Sequence, residues 1–369
     1  PPSRQRRRAA ERGASGAPAG VPDGSKTRPL GNNRIALLDP EMKGDRKPKR
    51  GSRSDLYNLR DWYRDRAQGD RVRSCGRVRY DPETVRSTVR QNKAGKRGAG
   101  LGGVRLCESP WACPACGGSI RKKRANALRH LDGIATDEGL GTAMFTFTIR
   151  HYRGASLRRM REGLAKAWEY VQQSEAWQYI VKGNGVNYVR ALEVTYGEHG
   201  WHPHYHVMTV TDRRLTWDEE WEYEKKLTRL WMRAVELTLG ARFVPFEEHA
   251  CKVSRESPLK YASKLDLELT DPGDAKASHG VKPWDLLRAA RDGVSVFTGL
   301  DADFEIKPDE ALRLFQEYER DMKGARLHTA SRYMLWLLED ASGDGVFASS
   351  FAGAAPTGAP VVAVLCIPA

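Results

Sequence analysis

The chain has 369 residues, a net charge of +14 and a pI near 9.5, a balance that favours a polyanionic partner, nucleic acid or an anionic membrane surface. No run is long and apolar enough to span a bilayer, and Arg4, Arg6, Arg7 and Arg8 have no apolar stretch behind them, which excludes a secretory signal. The expected location is cytoplasmic; the start at Pro1 rather than Met points to a trimmed or mis-assigned beginning.

Residues 1–54 are rich in Arg, Gly, Pro and Ala and read as a disordered basic arm, which either adds non-specific phosphate contacts or only solubilises the chain. Residues 55–140 form a Cys-rich region. Six cysteines in a cytosolic chain are better explained by metal than by disulfides. Cys107-x5-Cys113-x2-Cys116 suits tetrahedral zinc, completed by Cys75 or by His130; ordinary buried thiols are the plainer alternative. The basic helix that follows carries Arg121, Lys122, Lys123 and Arg124 and would be set against DNA phosphates.

Residues 141–270 alternate between strand and helix patterns. Thr142–Arg150 reads as a strand and Ser156–Val181 as a helix with Leu157, Met160, Leu164, Trp168 and Val171 on one side. Asn187–Tyr196 and Trp201–Met208 read as strands joined by the turn Gly197–Gly200. Leu215–Leu239 is a second helix, with Trp217, Trp221, Leu227, Trp231 and Val235 as its expected core stripe. Phe243–Val253 reads as a further strand, and Ser257-Pro258 opens another helix, Ser as cap and Pro at its first position. The order βαββαβα gives an α+β fold with a ferredoxin-like or RRM-like antiparallel sheet and flanking helices. To it are added a small N-terminal zinc-binding element, a helical C-terminal region at 271–342 and a flexible Ala-, Gly- and Pro-rich tail at 343–369.

The histidines of Trp201-His202-Pro203-His204-Tyr205-His206 alternate, so on a strand they share a face. If the turn is centred between Glu198 and His199, Tyr196 faces Trp201, Thr195 faces His202 and Glu193 faces His204. Opposed residues of an antiparallel pair share a face with Cβ atoms about 5 Å apart. Glu193, His204 and His206 then converge as a two-His, one-carboxylate set with open positions, suited to Mg, Mn or another divalent metal. The bland reading is a polar strand face with surface histidines.

In Ser257-Pro258-Leu259-Lys260-Tyr261-Ala262-Ser263-Lys264, Tyr261 falls in a first helical turn between Lys260 and Lys264. A phenol so placed, where the helix dipole and two ammonium groups favour negative charge, is suited to attack phosphorus. An amphipathic surface helix with a half-buried Tyr explains the same residues.

WHPHYHVM, SPLKYASK and FTFTIRH occur together in a fixed order, followed by VKPWDLLRAARDG and by Lys323-Gly324-Ala325-Arg326 within YERDMKGARLHTASRYML. Over about residues 140–340 the chain resembles rolling-circle replication initiators of the HUH endonuclease superfamily, of the plasmid type found in Gram-positive bacteria including actinomycetes. The resemblance implies that His204 and His206 are ligands of a catalytic Mg or Mn ion, with Glu193 as third ligand. His202 either substitutes for Glu193 or binds the scissile phosphate. Tyr261 becomes the nucleophile, and Cys75 is favoured over His130 for zinc. Some relatives carry a Glu four residues before the Tyr; here that position is Ser257 and the nearest acid is Glu256, so termination departs from that pattern. The implied activity is nicking of one strand of a plasmid origin, giving a covalent 5′-phosphotyrosine and a free 3′-OH, with later rejoining. Its substrate is a double-strand origin nicked in single-stranded or extruded form, and a host helicase and single-strand-binding protein are expected partners; no membrane is involved. The rivals are an HUH transposase or relaxase, relaxases usually placing the Tyr before the histidines, and a non-catalytic zinc-containing DNA-binding regulator.

Overall fold

The computed structural model describes residues 51–79, 87–91, 97–101, 103–183, 187–255, 280–298, 304–331 and 334. Glu256, Ser257, Lys260, Tyr261 and Lys264 lie outside the described residues, as do residues 1–50 and 343–369. The N-terminal elements are α1 (Arg53–Arg64), α2 (Asp70–Arg73), β1 (Ser87–Gln91), β2 (Arg97–Leu101) and α3 (Pro114–Asp137). Next come β3 (Gly141–Phe147), α4 (Leu157–Gln173), α5 (Glu175–Gly183), β4 (Asn187–Gly197), β5 (Gly200–Thr211) and α6 (Trp217–Leu239). Then follow α7 (Glu247–Ala250), β6 (Cys251–Ser254), α8 (Pro283–Asp292), β7 (Val296–Thr298), β8 (Phe304–Ile306), α9 (Pro308–Asp321) and β9 (His328–Ala330). No helix among the described residues is long and apolar enough to cross a membrane.

Alternation builds the central sheet. In β3, Ala143, Phe145 and Phe147 are buried toward one face while Thr142, Met144 and Thr146 point to the other. Five strands pair antiparallel in the order β6-β3-β5-β4-β9, which makes the protein α+β. The inner face packs Phe145, Phe147, Leu192, Val194, Tyr205 and Val207 into one core with Leu164, Trp168 and Val171 of α4 and Leu227, Trp231 and Val235 of α6. Trp168 meets Phe147 edge-on at 5.6 Å and Trp177 at 5.1 Å. Among the described residues, apolar packing covers the outer face over part of its length only. There Leu128, Leu131 and Ala135 of α3 pack on Val189, Ala191, Met208 and Val210.

Several expected elements change shape. The helix expected over 156–181 is two, because Ser174 is extended and its hydroxyl caps the second at Trp177 N. The strand expected over 243–253 is only Cys251–Ser254. Upstream of it Ala241–Phe243 forms a 3-10 turn, Pro245 has no N–H for a ladder, and Glu247 and Glu248 occupy the first turn of α7, where acids suit the dipole. Trp217 and Trp221 are not core residues: they are 74% and 66% exposed. The Thr216–Glu219 capping box starts α6 before it reaches its packing partners, and burial begins at Tyr223. The region read as helical at 271–342 supplies α8 and α9 but also β9, which extends the main sheet beside β4.

Arg121 and Arg124, expected to face DNA, are 3% and 7% exposed. A helix rotates about 100° per residue, so four consecutive basic residues cannot share a face; Lys122 and Lys123 point outward and the two arginines point inward. The Arg121 guanidinium sits over the Trp111 ring at 5.3 Å. Arg124 Nη1 lies 2.8 Å from His328 Nδ1 in β9. Arginine can only donate, so Nδ1 accepts and the imidazole proton is on Nε2.

Burial, followed by the charges of Arg124 and Arg121, holds the His328 imidazole well below its usual pKa. The folded chain therefore keeps His328 neutral while the unfolded chain takes up a proton near pH 6.5. The contribution of this residue is fully present above pH 6.5 and is lost as pH falls, by at most about 1.4 kcal/mol per pH unit. Denaturant unfolding at pH 7.0 and 5.5 is expected to show a smaller acid-side loss in His328→Gln than in the parent.

Candidate functional site

The β4–β5 hairpin fixes the site. Tyr196 pairs with Trp201, Thr195 with His202 and Glu193 with His204, the register expected from a turn centred between Glu198 and His199. Glu193, His204 and His206 share the outer face: His206 pairs with Ala191, at the edge of the cluster packed by α3, and Glu193 and His204 form the next row. His206 Nε2 lies 2.9 Å from Glu193 Oε2 and 3.1 Å from His204 Nε2, and His204 Nε2 is 3.4 Å from the same carboxylate oxygen. Ligands held at about 2.1 Å from one ion lie about 3.0 Å apart at adjacent octahedral positions and about 3.4 Å apart in a tetrahedron. The triangle fits a single divalent ion.

The rings are oriented from behind. His206 Nδ1 is 3.0 Å from Thr146 Oγ1, its direct cross-strand partner in β3, and His204 Nδ1 is 3.4 Å from the His202 carbonyl oxygen. Both imidazoles thus present Nε2 to the centre, the arrangement by which outer hydrogen bonds fix metal-ligating histidines. Burial pushes the Glu193 carboxyl up, but the His204 charge and hydrogen bonds from both histidines outweigh it and hold the group well below the usual carboxylate range. Glu193 is therefore an anion, as a ligand must be.

His202 is not in this group. Its ring stacks on His151 at 4.5 Å and 14°. Burial, with His204 and His151 nearby, pushes its imidazole down to about 2, so it is neutral. Both stacked histidines line a cleft whose other walls include Thr146, Arg150, Tyr152, Arg242 and Phe246. Sequence reasoning did not single out Thr146 or His151. The signal was present: the alternation of FTFTIRH puts Thr146 and Thr148 on the face that carries the histidines.

A second group lies around the start of α3. Cys113 is its N-cap and Cys116 stands in its first turn; Cys75 and Cys107 come from the preceding chain, and all four are buried. Cys75 Sγ is 3.6 Å from Cys116 Sγ and 3.7 Å from Cys113 Sγ. Thiolates at about 2.3 Å from a tetrahedral zinc lie about 3.8 Å apart. Glu108, at φ 54°, turns the chain so that Ser109 N donates to Cys107 Sγ at 3.5 Å, and Cys107 N donates to Cys75 Sγ at 3.4 Å. Hydrogen bonding from Cys107, then from Cys113 and Cys116, holds the Cys75 thiol well below its usual range. His130 is exposed farther along α3, so Cys75 is the fourth member of this cluster.

Residues 99–249 match the model of a family described as "Replication protein". A curated relative described as "Protein rep", from Streptomyces lividans, is 24% identical over 301 residues, 66% of this chain and 65% of that relative. The chain thus spans just under two thirds of its relative's length. A solved N-terminal nuclease domain of minute virus of mice non-structural protein 1 aligns with 39% of this chain and 69% of its own, at 11% identity and a TM-score of 0.17, a likeness that carries no weight for the fold. Residues 99–249 are thus similar to those of replication proteins. More narrowly, the resemblance to rolling-circle plasmid replication initiators is borne out.

Thr146 tests the orienting bond. Thr146→Val keeps the shape of the side chain but removes the oxygen beside His206 Nδ1. Titration calorimetry with Mn²⁺ is expected to show binding about 10- to 100-fold weaker than in the parent.

Proposed function

We propose that this chain is a site- and strand-specific DNA endonuclease and strand transferase that starts rolling-circle replication of a plasmid. The observation that carries this reading is the triangle of Glu193 Oε2, His204 Nε2 and His206 Nε2 on the sheet face that borders a cleft. The antiparallel order, with a hairpin bearing these residues at the second and third strands, supports a ferredoxin-like assignment.

Glu193, His204 and His206 would hold Mg or Mn, which when bound supplies Lewis-acid polarisation of the scissile phosphate. The chain's own residues do the rest. Thr146 and the His202 carbonyl keep both imidazoles pointing at the centre. His202, neutral and stacked on His151, stands at the cleft side of the ligands, where it can meet the phosphate without adding charge. Tyr261, flanked by Lys260 and Lys264, follows shortly after β6 in the chain, and β6 pairs with β3, the strand that carries Thr146. The Tyr261 oxygen loses its proton and bonds to phosphorus; the P–O3′ bond breaks, and the leaving 3′ oxygen takes up a proton. The phosphodiester is conserved as a 5′-phosphotyrosine, so attack by a new 3′-OH reverses the step and rejoins a strand. Glu256 is the acid nearest Ser257 and is the residue available to assist the terminating step.

Cys75, Cys107, Cys113 and Cys116 would hold a structural zinc. Lys122 and Lys123, exposed on α3, remain the members of the basic run that can meet DNA phosphates. The substrate is origin DNA nicked in single-stranded or extruded form, and a helicase and a single-strand-binding protein are the host partners the reading requires.

A labelled single-stranded origin oligonucleotide with Mn²⁺ is expected to become covalently attached to the parent and not to Tyr261→Phe. An adduct in Tyr261→Phe would remove Tyr261 from its role, and no adduct from the parent with any origin strand would overturn the nuclease reading. Elemental analysis of the purified chain is expected to find one zinc per chain, lost in Cys75→Ala and kept in His130→Ala.

A further inference from the structure

The cleft beside the ligand set has a volume of about 830 Å³, within the range of about 300–1,000 Å³ typical of ligand sites. On one side it continues the sheet face through Thr146 and His202; on the other it is walled by the segment after β3 and the segment between α6 and α7. Phe246 stands on the second wall, 60% exposed, with the Arg150 guanidinium 5.1 Å from its ring centroid. The exposed Arg242 guanidinium lies 3.5 Å from the centroid of Tyr152, which also meets Phe243 at 5.2 Å. Glu248 is the acid lining this cleft.

Phe246 thus presents its ring at the cleft with a cation beside it, and Tyr152 does the same with Arg242. Aromatic faces interleaved with guanidinium groups form the surface that binds unpaired nucleotides: the rings take base faces of any sequence and the cations take phosphates. A duplex offers no free base face, so the aromatic part of this surface selects single strands. Resting on the reading of the chain as a DNA nuclease, we infer that the cleft holds a nucleotide flanking the reacting phosphate, its base on Phe246 and its phosphates against Arg150 and Arg242. Phe246 is on this account a positioning residue. It fixes the strand beside the ligands and takes no part in bond making.

The test is binding of labelled oligothymidine, and of an abasic strand of equal length, to the full chain without added divalent metal. The parent is expected to prefer oligothymidine. Phe246→Ala should lose about tenfold in affinity for oligothymidine and nothing for the abasic strand, and Phe246→Trp should restore the preference. Arg150→Gln and Arg242→Gln should each lower the slope of log affinity against log salt by about 0.7, the single-strand value for one phosphate contact. A folded Phe246→Ala that binds both strands as the parent does, or weakens on both equally, overturns the inference. Adduct formation by the same parent preparation with Mn²⁺ separates the two readings. An adduct with unchanged Phe246→Ala binding sinks the cleft alone. Base preference that depends on Phe246 supports the cleft even where no adduct forms, a result that would sink the nuclease reading instead.

Discussion

The candidate site exists because, among the described residues, α3 packs on only part of the outer face of the sheet. The inner face packs on α4, α5 and α6, with Trp168, Trp177 and Trp231 fully buried, and at the hairpin end on α9. On the outer face the cluster packed by α3 takes in Val189, Ala191, Met208 and Val210, so that His206, in the row of Ala191, lies at its edge and Glu193 and His204 lie one row beyond. There His204 and His206 are buried, and they meet each other and Glu193 rather than apolar side chains, as buried polar groups require. Left beside a cleft, they can hold an ion and still admit a ligand. The position of α3 therefore decides which part of the sheet is scaffold and which part is chemistry.

That position is set at the start of the helix and near its middle. The thiol cluster grips its first turn, and Trp111 just ahead of it donates from Nε1 to the Ala325 carbonyl at 2.8 Å. Farther along, Arg124 reaches His328 on the edge strand. Against the inner side of the hairpin end, Trp201 stacks on Tyr318 of α9 at 5.7 Å and donates to Glu317. Glu319 of the same helix accepts from Tyr63 of α1 and from the backbone of Gln68 and Gly69, tying in the N-terminal segment. The hairpin is thus braced on both sides by elements distant in sequence.

What the sequence made legible was local. The hairpin register followed from a short turn and strict alternation, because a period of two leaves no freedom once the turn is placed. The Cys113–Cys116 pair could be read for the same reason, while the place of Cys75 depended on a chain path that spacing does not encode. Misreadings arose where tertiary context decides. Arg121 and Arg124 sit on a helix with no exposed stripe wide enough for a run of four basic residues. Trp217 lies on nearly the same side of α6 as Trp231, yet the helix overhangs its partners there, which periodicity cannot detect. β9 has three residues and owes its strand geometry to β4 alone. Tyr261 was legible as a motif and lies outside the described residues.

The hairpin has a last consequence, for the history of such a chain. Because Glu193 and His204 meet across a turn of fixed register, inserting or deleting one residue between them turns one strand over and sends its ligand into the tryptophan-lined core. Changes in hairpin length are tolerable only in pairs that keep both strands facing the same way. Substitutions can accumulate around this turn, but its length is held by parity.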